Sequence, residues 1–294
     1  MSVAAPPVPG RVARRRLARA VGRLELSPVA WLGLMVAVGC VLVGLLGPMV
    51  APYDPDAFVG APLSAPSSEH LLGLDYLGRD AWSRFLFGGR TAILLALLGF
   101  LAGASVGLTL GLLAAYSRGI ADRIVDRTTE ILVGFPSLVL MLLLVAGLGS
   151  ELWVIVLALA VVHFPRVARI VRAAGIDVRH MAYVEVAEAR GERHLYVMFR
   201  EMLPAVMPPF LVDAGIRIPA SILLVASLSF LGLGIQPPAS DWGLIISENR
   251  AGLTSQPWAA VAPITALAAL MIGVNVAIDG FQRVRSLSAR RSVD

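Results

Sequence analysis

Between Val29 and Ile278 the sequence repeatedly runs for about twenty residues without a charged side chain, and those runs decide what the chain can fold into. A helix needs about 20 predominantly apolar residues to cross a hydrocarbon core of about 30 Å. Val29–Val50, Thr91–Tyr116, Ile131–Ser150, Ile218–Leu233 with its upstream flank, and Ala251–Ile278 approach or exceed that length. A sixth span is expected from Leu152 to about Arg169, although its uncharged stretch ends at Pro165 and Arg166. Arg166, Arg169 and Arg172 recur every three residues, so their stems can snorkel from a helix end to the interface. The expected fold is an all-α polytopic bundle of six spans, with both termini on one side.

The charges orient it. Hydrophobic residues make up 57% of the chain and charged ones 15%, more apolar than a soluble domain can bury. A net charge of +5 raises the question of nucleic acid, but the basic residues, all arginine, fall in short clusters between apolar runs and gather on no single domain. With the N-terminus inside, 20 arginines lie in cytoplasmic segments and four outside (Arg79, Arg84, Arg90 and Arg250). That bias is the positive-inside signature, so the basic lead from Arg11 to Arg23 reads as an orientation signal on anionic lipid. The first apolar run is too long for a signal peptide and no A-x-A site follows it, so it reads as an uncleaved anchor. The chain has no lysine, and a phosphate-binding P-loop needs one; any ATPase must be a separate chain. Cys40, the one cysteine, lies inside an apolar run and reads as a packed residue.

The segment from about Arg172 to Pro208 is cytoplasmic and helical in pattern. Gly191 divides it, and beyond Gly191 the residues Leu195, Met198, Phe199 and Met202 recur at spacings of three and four, which predicts an amphipathic face. Two short helices joined at Gly191 are expected, because glycine tolerates positive φ, with Pro204 ending the second by removing a backbone donor. Such an elbow suits a motor subunit as a docking knob.

Glu185, Val186 and Ala187, then Gly191, then Leu203 and Pro204 resemble the EAA loop of ABC-importer permeases, with the spacing from Gly191 to the Leu-Pro pair intact. Val186 replaces the first alanine, and Glu201 stands where isoleucine or histidine is expected. The run His70, Leu71, Leu72, Gly73, Leu74, Asp75, Tyr76, Leu77, Gly78, Arg79, Asp80, then Ser83 and Arg84, is similar to the outer-loop signature of permeases for dipeptides, oligopeptides and nickel. Leu228–Gly234 with Gln236, Pro237, Pro238, Trp242 and Gly243 matches a further segment of the same group, with Val225 in place of an expected glutamate; Asn275 and Asp279 fit an Asn-x-x-x-Asp pattern.

The resemblance implies a type I ABC-importer permease fold and import of di- or oligopeptides, with nickel or another small solute as the alternative. It implies that Glu185, Ala187, Gly191, Glu201, Leu203 and Pro204 couple the bundle to ATPase subunits. The implied partners are a second homologous permease subunit, two ABC ATPases carrying ATP and magnesium, an extracytoplasmic binding protein and membrane lipid, with no nucleic acid. The chain itself is expected to bind no cofactor or metal and to perform no catalysis. The expected division is a basic cytoplasmic segment (1–27), a first transmembrane helix (28–50), an extracytoplasmic loop (51–90), a core of five further spans holding the coupling loop at about 172–208 (91–281) and a basic cytoplasmic tail (282–294), in a prokaryotic cytoplasmic membrane.

Several polar residues have two readings. Asp75 with Arg79 and Asp80 with Arg84 are spaced i,i+4 and can pair along a solvated outer helix, or meet the delivery protein or pore mouth. Asp213 and Arg217, one turn apart, are a structural ion pair or part of the translocation path. Pro136 after Gly134 and Phe135 kinks the third span or constricts the pore. His163 reads as a satisfied bundle histidine, having no second ligand at metal spacing. An intramembrane hydrolase would need a histidine near Ser227, Ser229 and Asp213, and the pattern places none; a channel or secondary carrier would need no ATPase partner.

Overall fold

A computed structural model describes residues 27–117 and 119–290, the last ten as backbone only. The arginines before Ser27, Arg118 and the tail beyond Arg290 lie outside the described residues. The described elements are α1 (Pro28–Leu46), α2 (Ala81–Ser117), α3 (Ile120–Val133), α4 (Ser137–Leu148), α5 (Leu152–Arg179), α6 (Ala182–Ala189), α7 (Leu203–Phe230), α8 (Trp242–Asn249) and α9 (Trp258–Arg290). Five helices are long and apolar enough to cross a membrane, or six if the bent pair α3–α4 is one span.

Helix α1 shows how lipid inverts the usual pattern. Ser27 caps it, its Oγ accepting from the Ala30 amide at 3.2 Å, with Pro28 at the first helical position. Its buried residues are the small ones, Ala30, Gly33, Ala37 and Gly44, while Val29, Trp31, Leu32 and Met35 point outward. Lipid tails solvate large apolar side chains as well as a core does, so close packing is left to residues that let backbones approach.

The same rule holds the centre of the bundle together. Gly99, Gly103, Gly107 and Gly111 recur every four residues on α2 and form the seam against α5. A Cβ at Gly107 would stand 2.7 Å from the Phe164 carbonyl oxygen and from Val167 Cβ, so the helices would have to separate. Gly107→Ala is expected to cost about 1–3 kcal/mol in thermal unfolding. Gly39→Ala, with nothing within 4 Å, should instead gain about 0.4–1 kcal/mol through a stiffer unfolded chain. Equal effects from the two would show that this seam is not close-packed.

Three spans differ from expectation. The helix expected from Thr91 already begins at Ala81, because Asp80 Oδ2 accepts from the Ser83 amide at 2.8 Å and caps it. The third run bends at Pro136 as expected, but so sharply, at 93°, that α3 and α4 are separate helices. Its charged first part, α3, packs against α2 and α5 through Val125, Ala114 and Ala168, and only the 12 residues of α4 run as apolar helix. The span expected to end near Arg169 continues to Arg179, carried by ion pairs from Arg172 to Asp122 and Asp126 on α3.

At its far end, α7 stops at Phe230, three residues before the expected Leu233. Gly232 takes a φ of +81°, and its amide and that of Leu233 return to Ser229 and Leu228 carbonyls, closing the helix as a left-handed C-cap. The short helix α8 then plugs between α2, α7 and α9. Its Trp242 is fully buried, stacks on Phe85 and donates from Nε1 to the Phe85 carbonyl at 2.9 Å. A Cβ on Gly243 would fall on the Ala226 carbonyl, so glycine permits the contact.

Candidate functional site

The elbow is built on α6 and the turn after it. Arg190 ends α6, and Gly191, at φ +76°, reverses the chain. The Glu192 amide donates to Ala187 O at 3.3 Å and the Gly191 amide to Glu188 O at 2.9 Å, the pair of bonds of a Schellman cap. Val184 and Ala187 face inward at 0% exposure, whereas Glu185 and Val186 face out.

The second limb corrects two expectations. Pro204 does not end a helix: His194–Tyr196, a π-helical turn at Val197–Met202 and α7 form one rod from His194 to Phe230. The Leu203 amide donates to Met198 O, five residues back, and the wider turn accommodates a proline that cannot donate and would strike the carbonyl four residues earlier. The expected apolar face also splits. Met198 and Met202 enter the core with Val197, Val206 and Phe210, while Leu195 and Phe199 stay exposed beside Tyr196. The elbow thus presents Met181, Tyr183, Val186, Leu195, Tyr196 and Phe199 outward as an unburied apolar patch. Glu201 lies between the limbs, half-buried, with Leu203 also half-buried and Pro204 exposed. Burial and the Glu201 carboxylate push the Tyr183 phenol above its ordinary range.

This elbow is tied to the bundle. Tyr116 at the end of α2 lies 2.7 Å through its hydroxyl from His194 Nδ1, Arg179 at the end of α5 covers the Tyr116 ring at 4.8 Å, and Arg179 pairs with Glu188 of α6 at 3.8 Å. Displacing the elbow therefore loads the inner ends of α2 and α5 together.

At the other end of the bundle, the four charged residues that could have paired along a solvated helix are buried, Asp75, Arg79 and Asp80 in the loop before α2 and Arg84 in its first turn. Asp75, Arg79, Asp80 and Arg84 are exposed by 1%, 4%, 1% and 0%. Asp75 Oδ2 accepts from both Arg79 Nε and Arg84 Nη1 at 2.8 Å, and Arg84 Nη1 also donates to Glu248 of α8 at 2.6 Å. Asp80 does not pair with Arg84; it caps α2 and contacts His70 Nδ1 at 2.9 Å. Glu248 and Asn249 were not legible as partners. Asn249 accepts from the Tyr76 amide at 3.0 Å, so the loop is stitched to α8 across 173 positions of sequence. Spacing of four suggested a helix, but the positive φ of Gly78 turns the chain between Asp75 and Arg79, as that of Gly73 does just before them.

α8 itself is capped by Asp241, which accepts from the Gly243 amide at 2.9 Å and the Leu244 amide at 3.2 Å. Burial pushes its carboxyl from 3.8 up to about 6, against these hydrogen bonds, which favour the anion. A carboxyl raised in the folded state lends stability below its unfolded value that is lost as pH rises through the folded one. Asp241→Asn should therefore gain on the wild type between pH 4 and pH 6 in heat-unfolding midpoints; a constant difference across that range would exclude ionisation of Asp241 as its source.

In the bundle, Asp213 and Arg217 form the expected ion pair at 2.5 Å, with side chains 13% and 21% exposed. His163 is only half satisfied: Nε2 lies 2.7 Å from Ser221 Oγ, and the buried Nδ1 has no partner. Pro136 lies apart from that pair as the exposed N-cap of α4, at the α3–α4 bend. Among the described residues no group of three His, Cys, Asp or Glu is placed to hold a metal ion.

The family model for the binding-protein-dependent transport system inner membrane component matches residues 107–290. The glutathione transport system permease protein GsiD of Pectobacterium atrosepticum is 37% identical over 233 residues, covering 79% of this chain and 77% of the relative. The probable D,D-dipeptide transport system permease protein DdpC of Escherichia coli is 33% identical, covering 93% and 92%. A chain of the MetNI methionine ABC transporter in an inward-facing form superposes with a TM-score of 0.52 at 20% identity, over 69% of this chain and 95% of that one, a likeness of fold.

Proposed function

The chain belongs to the family of binding-protein-dependent transport system inner membrane components, and on that premise we propose how it works as a permease subunit of a peptide-importing ABC transporter. It is a multi-pass protein of the cytoplasmic membrane. Its partners are ATPase subunits and an extracytoplasmic substrate-binding protein. We place the elbow of Glu185, Ala187, Gly191, Glu201, Leu203 and Pro204 in a cleft of an ATPase, both termini in the cytoplasm, and a second, homologous permease subunit beside this one. The observation that carries the reading is the elbow's exposed apolar patch next to a glycine-locked turn. A patch of this kind on a water-facing segment is a docking surface.

ATP-driven closure of the ATPases would move the elbow as a rigid body, and the Tyr116–His194 and Arg179–Glu188 contacts would pass the motion to α2 and α5. The buried outer cluster holds the 51–80 loop and α8 as one cap over the other end. Named relatives transport glutathione and dipeptides, which supports a small peptide as cargo.

In a Cys40→Ser background, Val186→Cys should react with a membrane-impermeant maleimide in inverted vesicles, and assembly with the ATPases should shield it. Labelling from the external face, or no shielding in the assembled importer, would overturn the docking assignment.

A further inference from the structure

Two arginines on antiparallel helices stand at one depth in the bundle. Arg166 follows Leu152, the start of α5, by 14 residues, and Arg217 precedes Phe230, the end of α7, by 13. At 1.5 Å per residue each lies about 20 Å from the outer end of its helix. The register is pinned by the 2.7 Å contact between His163 and Ser221, because Arg166 comes one turn after His163 and Arg217 one turn before Ser221. That contact sets the two arginines on neighbouring turns of packed helices.

Only one of the two has a carboxylate partner. Asp213 accepts from Arg217 Nε, which leaves the two terminal nitrogens of Arg217 with no protein acceptor among the described residues. Arg166 donates only to the Val162 carbonyl, at a long 3.5 Å, and among the described residues no carboxylate lies within ion-pair distance of it. Asp279, the acidic residue on the adjoining part of α9, is exposed and pairs with neither. The group therefore carries a surplus positive charge at a depth where an uncompensated cation costs a few kcal/mol. Both arginines remain partly exposed, so a solute can reach them.

We propose that Arg166 and Arg217 form a carboxylate-binding station in the inner half of the translocation path, receiving the free carboxylate of a small peptide, with Asp213 fixing the Arg217 fork. This rests on the reading of the chain as a peptide-importer permease. Guanidinium groups suit the task because their planar N–H forks match a carboxylate in two bonds. With only two forks, one of them already held through Nε, the station binds weakly enough to release its cargo, as a path requires.

The test uses the complete purified importer without nucleotide, phenylglyoxal as an arginine reagent, and mass spectrometry of the adducts. N-acetylalanine at ten times its half-protecting concentration should slow modification of Arg166 and Arg217 about tenfold, as mass action requires. N-acetylalanine amide should leave it unchanged. No protection, equal protection by the amide, or an Arg166 that reacts only after the second permease subunit is removed would overturn the station; the last would mean that a partner carboxylate occupies it. In proteoliposomes, Arg166→Gln should lower ATP-driven uptake of radiolabelled dialanine about tenfold, the loss of one charge-assisted hydrogen bond, with binding-protein-stimulated ATP hydrolysis kept and Arg166→Lys restoring part of the uptake. Unchanged uptake in Arg166→Gln would also overturn it. If the wild-type importer takes up neither dialanine nor glutathione, the peptide reading fails, while the protection experiment still judges the station by itself.

Discussion

Gly191→Val is expected to reduce coupled uptake by the assembled importer at least about tenfold while ATP hydrolysis continues, because it changes where the elbow points. A Cβ at Gly191 meets nothing within 4 Å, so crowding by neighbours plays no part. The whole effect comes from the backbone: φ is +76°, a conformation that costs an L-residue about 1–2 kcal/mol and a β-branched one more. Relieving that strain means breaking the amide bonds from Gly191 and Glu192 that close α6, and the two limbs then swing apart. Gly191→Asn should keep most of the coupling, since asparagine tolerates the left-handed region, and Gly191→Ala should fall between. The ratio of peptide transported to ATP hydrolysed, measured in proteoliposomes, ranks the three. Full coupling in the valine variant would remove the elbow from the mechanism.

The largest effect on stability is expected at Arg84. Its side chain is 0% exposed and bridges two buried carboxylates, Asp75 and Glu248, so Arg84→Leu leaves Arg79 as the one cation for both carboxylates and a net negative charge in the cap. Breaking a buried pair from one side costs about 3–5 kcal/mol, far more than the tenths assigned to an exposed pair. Adding Glu248→Gln to Arg84→Leu restores the charge balance and should recover a substantial part of the loss. Thermal unfolding of the detergent-purified subunit would measure both variants. If Arg84→Leu lies within 1 kcal/mol of wild type, the cluster is not the fastening that joins the outer loop to α8.

How far the sequence could be read depended on the range of the interaction. Helix α1 follows from its own apolar run and Ser27 cap, and the turn at Gly191 follows from a local need for positive φ. The seam between α2 and α5 was also written in the sequence, as four glycines at intervals of four, but that spacing went unread. Pro204 was misjudged because a π-turn, which depends on how Met198 and Met202 pack, absorbs a proline that an α-helix would not. The Asp75 to Arg84 group was misjudged because spacing gives distance only along a helix, and here glycine turns remove the helix.

The sequence by itself determined that this chain crosses a membrane, roughly where it does so, and that a bent hairpin follows its fourth expected run, since these depend on residues no more than a few turns apart. Tertiary structure alone decided which charges are buried, that Glu248 joins Arg84 from 164 positions away, how sharply the third run bends at Pro136, and that Arg166 and Arg217 share one depth. Burial and pairing depend on what another part of the chain brings alongside, and in a bundle held by backbone proximity that is set by how the helices cross.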